Sequence, residues 1–150
     1  MMERREFLIG TFGFGLLAAC APSGPGVVTI VAQGTAGMNP GPDGADRPLT
    51  LQIVQMRSSG AFDGADFFAL QDPAGALGAE FIKADQIALT AGAPQTRAIG
   101  LDAGTTVIGV IAGFRDPAGK VFRAKAGVSA TESVTFSVEV SRSGVTLRAA

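Results

Sequence analysis

The stretch Val134-Thr135-Phe136-Ser137-Val138-Glu139-Val140 alternates apolar and polar side chains without a break. Successive side chains on a strand point to opposite faces, so a period of two predicts a strand with one face buried and one in water. Ser143-Gly144 then turns the chain into an edge strand over 145–148. Upstream, residues 105–114 are apolar enough for a central strand, and Asp116-Pro117-Ala118-Gly119 sets Pro and Gly where a hairpin turn needs them. That turn leads into a further strand over 121–126.

The same reading extends towards the N-terminus. Val27-Val28-Thr29-Ile30-Val31 is a β-branched run, 49–56 sets Leu51 and Ile53 on one face, and 81–89 and 95–101 read as extended. Only the middle breaks the pattern. Phe67 and Leu70 lie three apart, on one side of a short helix that Asp63 would cap and whose positive first turn would hold Asp66. A second short helix starts at Asp72, with Pro73 at its first position and Gly78 as its stop. Phe67, Phe68 and Leu70 are expected to close the end of the core. Seven or eight short strands with one helical insert predict an all-β fold, an antiparallel β-sandwich. A small β-barrel is the alternative that pattern leaves open.

One connection is too long to be routine. Gly34-Thr35-Ala36-Gly37-Met38-Asn39-Pro40-Gly41-Pro42-Asp43-Gly44-Ala45-Asp46-Arg47, ending at Pro48, is almost entirely turn formers, with Met38 as its one large apolar side chain. Compact domains rarely carry such a loop without a function, although a mobile surface excursion has the same composition. Met38 and Asn39 near its tip, with Asp43, Asp46 and Arg47, are expected to make contacts.

The chain has no His, no Trp, no Tyr and one Cys among 150 residues. Histidine is the usual proton shuttle and transition-metal ligand, so serine triads, zinc sites and Cys–His pairs are closed to it. Two carboxylate pairs, Asp63 with Asp66 and Asp43 with Asp46, are formally available for acid–base work, but both lie among Gly and Ala where turns and caps are the ordinary role. The oxygen donors of 39–46 lack the spacing of a calcium loop. No enzyme, metal site or cofactor is expected. A net charge of −1 argues against nucleic acid and against electrostatic adhesion to anionic lipid.

The N-terminus carries an address. Arg4 and Arg5 precede an apolar run over 7–19, too short to span a bilayer and of the right length for a signal peptide. Leu17-Ala18-Ala19-Cys20 ends that run, and Cys20 has no second cysteine with which to pair. This tetrapeptide resembles the lipobox of bacterial lipoproteins, which implies acyl chains on the sulfur and on the new amine of Cys20. Several chains together give stable anchoring where one is marginal. The expected organisation is a signal peptide over 1–19, a lipidated tether over 20–26 and a β-sandwich domain over 27–150. Arg4-Arg5 before Phe7-Leu8 resembles the twin-arginine export motif, and the general secretory route fits equally well.

These landmarks fall into one order: the lipobox, the long Gly/Pro loop, Leu49-Thr50-Leu51-Gln52-Ile53, the segment with Phe62, Asp66, Phe67 and Phe68, and Gly109-Val110-Ile111-Ala112-Gly113-Phe114-Arg115-Asp116 before Val121-Phe122-Arg123-Ala124. The sequence resembles the type VI secretion outer-membrane lipoprotein family, TssJ (SciN, VasD). The family often has Trp where Phe122 stands. The resemblance implies a transthyretin-like β-sandwich with a helical addition, held on the outer membrane and facing the periplasm; Ala21, where an aspartate would signal inner-membrane retention, agrees. It implies binding to the periplasmic C-terminal region of the inner-membrane protein TssM, assembly with TssL, and residues 34–47 as the partner-contacting loop. The competing expectation is a generic periplasmic lipoprotein that binds a small ligand or a cell-wall glycan, weakened by the lack of Trp and Tyr for stacking.

Overall fold

A computed structural model describes residues 24–150. The expected signal peptide over 1–19, with Leu17, Ala18 and Ala19, and Cys20 and residues 21–23 of the expected tether lie outside the described residues.

Eight strands run in chain order: β1 (Val27–Gly34), β2 (Leu49–Met56), β3 (Phe81–Leu89), β4 (Gln95–Gly100), β5 (Val107–Ala112), β6 (Arg123–Gly127), β7 (Val134–Ser141) and β8 (Gly144–Ala149). They form two four-stranded sheets, β4-β1-β7-β8 and β3-β2-β5-β6, so the fold is a sandwich and not a single closed barrel. All neighbours pair antiparallel except β1 and β7, which run parallel from Val28 opposite Val134 to Gly34 opposite Val140. The sequence pattern shows which residues face inward. It does not show which strands become neighbours, and so could not anticipate this one parallel pair.

The core lies between the sheets. Val28, Ile30, Phe136, Val138 and Val140 meet Leu51, Ile53, Ile87, Leu89, Ile108 and Val110. The alternation of β7 is as the sequence requires, with Phe136, Val138 and Val140 buried and Thr135, Ser137 and Glu139 exposed. β2 departs from alternation because both its faces are covered: seven of its eight residues are buried. Leu51, Ile53 and Gln55 face the core, while Val54 and Met56 point outward into a second cluster with Phe62, Leu70, Leu77 and Ile111. Gln55 is a fully buried amide that is fully used. Its Nε2 donates to Gly100 O at 3.0 Å, and Oε1 accepts from Asp102 N and the Thr105 hydroxyl, both at 2.8 Å.

That second cluster corrects the expected role of the helical insert. Helices α1 (Gly60–Gly64) and α2 (Pro73–Leu77), with 3-10 turns at Ala69–Gln71 and Gly78–Glu80, lie over the outer face of the β2–β5 sheet as a third layer. They do not close an end of the sandwich. Gly109 makes room: a Cβ there would stand 2.8 Å from both Met56 Cε and the Phe62 ring. Arg123 fastens the layer from below, donating to Phe62 O at 2.8 Å and to Ala65 O, with its guanidinium over the Phe122 ring.

α2 forms as expected, with Asp72 accepting from Gly75 N, Pro73 in the first turn and Gly78 at φ 55° ending it. The first helix starts earlier than expected, at Gly60, with Ser59 at its cap. Asp63 therefore sits inside that helix and pairs with Lys125, and Asp66 instead accepts from Ala69 N at 2.7 Å to begin the 3-10 turn. Leu70 is buried and Phe67 packs edge-on against Phe122, but Phe68 is 77% exposed and closes nothing.

Candidate protein-docking site

Four connections share one end of the sandwich: β1–β2, β3–β4, β5–β6 and β7–β8. Gly26 lies at the other end, where its N–H donates to Ala130 O and its carbonyl accepts from Leu101 N. The chain thus enters at one end, and β1 carries it roughly 25 Å to the loop end at about 3.3 Å per residue.

The β1–β2 loop is an ordered structure. Thr35 N donates to Val140 O at 2.9 Å, and Met38 N donates back to Thr35 O, with Gly37 at φ 85° making the turn. This turn points Met38 inward, where it is fully buried among the core side chains. Asn39 follows at 3% exposure and ties three segments together. Its Nδ2 donates to Arg47 O and Pro48 O at 3.2 and 3.3 Å, and its Oδ1 accepts from Arg115 N in the β5–β6 connection at 2.9 Å. Asp46 closes the base, accepting from Gly37 N at 2.8 Å and from Asn39 N at 3.1 Å. These two N–H groups, Gly37's first, hold the Asp46 carboxyl below the ordinary aspartate range; burial opposes them, and Arg142 and Lys120 add smaller pulls in the same direction.

Beyond this base the chain forms a small hairpin, with Gly41 N donating to Ala45 O at 2.7 Å and Gly44 N to Gly41 O at 2.9 Å. Gly44 takes φ 83°. Asp43 accepts from Ala45 N and pairs with Arg47 at 3.0 Å. Pro40, Pro42, Asp43, Gly44, Ala45, Arg47 and Pro48 are exposed.

The division of labour differs from the sequence expectation. Met38 and Asn39 are not contact residues at a tip; one is core and the other is the fastening of the loop. Removing 38–43 would therefore damage the fold, contrary to what the turn-rich composition suggests. Asp43 and Arg47 stay at the surface. Neither expected carboxylate pair is arranged as an acid–base couple: Asp43 and Asp63 hold cations, while Asp46 and Asp66 hold backbone N–H groups. Among the described residues no three His, Cys, Asp or Glu side chains group as metal ligands would. Sequence reasoning missed Lys120 and Arg142, which lie beside the loop. The Arg142 guanidinium packs against Gly37, and Lys120 Nζ donates to Arg142 O at 2.8 Å.

The family described as Type VI secretion lipoprotein, VasD, EvfM, TssJ matches residues 27–143. The chain belongs to this family. Its fold matches solved structures of the same secretion system. TssJ1 from Pseudomonas aeruginosa superposes with a TM-score of 0.77 at 24% identity, over 85% of this chain and 98% of that one. Lip from Serratia marcescens, a membrane-bound component of the type VI secretion system, gives 0.74 at 23% identity, over 84% and 98%. A chain in the structure of the TssM C-terminal domain from EAEC gives 0.66 at 22% identity, over 83% and 97%. At these identities the likeness is one of fold. No curated protein sequence matches the chain. The TssJ family is one of structural lipoproteins, not of enzymes.

Proposed function

We propose that this chain is the outer-membrane anchor of a type VI secretion membrane complex, held by lipid on Cys20 and facing the periplasm. The exposed part of the β1–β2 loop, from Pro40 to Arg47, docks the periplasmic C-terminal region of TssM, and TssL joins through the same complex. The role is tethering and docking, without catalysis. Family membership supports the lipoprotein role, and the likeness to a chain in a TssM structure supports TssM as the partner.

The observation that carries the loop assignment is its construction. Asn39 and Asp46 pin the base, so the tip is held in one shape at the end opposite Gly26. A preformed tip loses little conformational entropy on docking. The two prolines reinforce this by restricting the free chain.

The triple variant Pro40→Ala, Pro42→Ala, Arg47→Ala tests it, because all three side chains are exposed. The full-length protein in non-ionic detergent is titrated with purified periplasmic TssM. Affinity is expected to fall at least ~30-fold, the scale of one interface hot spot at about 2 kcal/mol. Unchanged affinity would remove the loop tip from the interface.

A further inference from the structure

Cations outnumber carboxylates around the loop end, and three of them stand outside any ion pair among the described residues. Arg115 and Arg142 are exposed, Lys120 is half-buried, and none of the three forms an ion pair among the described residues. They are joined to the loop and to one another. Arg115 N meets Asn39 Oδ1 at 2.9 Å, the Arg142 guanidinium lies against Gly37, and Lys120 Nζ reaches Arg142 O while standing 5.1 Å from the centre of the Phe114 ring. The same end also holds Asp43, paired with Arg47, Asp46, which accepts from two backbone N–H groups and lies near Arg142 and Lys120, and Asp116, which accepts from Ala118 N, so that four cations face three carboxylates. Residues 58–82 of the helical layer hold Asp63, Asp66, Asp72 and Glu80 and no Lys or Arg, and two cations that reach this layer, Lys125 on Asp63 and Arg123 on Phe62 O, come from β6. The loop end therefore keeps a small excess of positive charge, presented by side chains beside the docking loop.

We infer that the partner surface received at this end is acidic, and that Arg115, Lys120 and Arg142 form a cationic collar that steers it onto the loop tip. The inference rests on the loop-docking reading above and adds the chemistry of the partner's face. Charges at the rim of an interface act mainly on the rate of encounter, and they are screened by salt. The collar sets how fast the complex forms, while the tip sets how long it lasts.

Association and dissociation rates are measured for full-length protein and periplasmic TssM between about 50 and 300 mM NaCl, across several screening lengths. The double variant Arg115→Glu, Arg142→Glu is expected to slow association at least ~10-fold at the lowest salt, with a smaller change in dissociation. The neutral variant Arg115→Gln, Arg142→Gln is expected to fall between that and wild type, and guards against a loop disturbed by new carboxylates beside Asp46. Wild-type association is expected to slow as salt rises. If the tip variant abolishes binding while both charge variants associate at the wild-type, salt-independent rate, the collar is overturned and the docking loop stands. If neither the tip nor the charge variants change any rate, both readings fall.

Discussion

At Met38 a thioether enters the core, and at the next residue a carboxamide ties three stretches of backbone. Met38→Ala is expected to lower unfolding free energy by about 2–5 kcal/mol, the usual range for emptying a buried site. Asn39→Ala should cost about 1–3 kcal/mol through the partners it leaves unpaired. Pro42→Ala, at the exposed tip, should stay within about 0.5 kcal/mol of wild type. Urea unfolding of the three variants checks the order, and a costly Pro42→Ala beside a harmless Met38→Ala would reverse the division between base and tip. Asp46 supplies a pH test. Its folded-state pKa lies below the unfolded value, so its contribution is present above the unfolded value and is lost as pH falls through the folded one. In an NMR titration the Gly37 and Asn39 amide signals should move only below the ordinary aspartate pKa of about 3.9. Movement centred above that value would mean the carboxylate does not hold the loop.

The strands and α2 were legible in the sequence because each carries a local signal, such as the strict alternation of β7 or the Asp72-Pro73…Gly78 frame. The third layer was not. Nothing local in Leu49–Met56 shows that its second face is covered, and Gly109 signals a close approach only once Phe62 is seen against it. Gly109→Val tests that layer. Extra methyls where the Phe62 ring and Met56 already meet should cost about 1–3 kcal/mol and loosen α1. Hydrogen exchange at Asp63 N and Ala65 N, both bonded within that helix, would report the loosening, and unchanged exchange would show that the layer yields freely. The loop was half legible. Its length and turn residues marked an unusual connection, but the inward path of Met38 depends on the Gly37 turn and on Asp46 reaching back nine residues to Gly37, and composition contains neither.

Across the whole molecule the strand order separates two ends, one where the chain enters at Gly26 and one where four connections meet. If the proposed lipid anchor precedes Gly26 and the proposed docking loop lies at the other end, the sandwich is a spacer between them and attachment itself is the activity. Cys20→Ser should release a folded protein that still binds TssM and no longer supports secretion; normal secretion by a soluble variant would separate anchoring from function. The polarity of the molecule can be read most directly by placing a photo-crosslinking residue at one position at a time in the full-length protein with TssM present. The loop-tip position of Pro42 and the exposed position of Glu132, near Gly26 at the entry end, are the informative pair. Strong crosslinks to TssM are expected from position 42 and none from position 132, whereas crosslinks from 132 with none from 42 would contradict docking at the loop end.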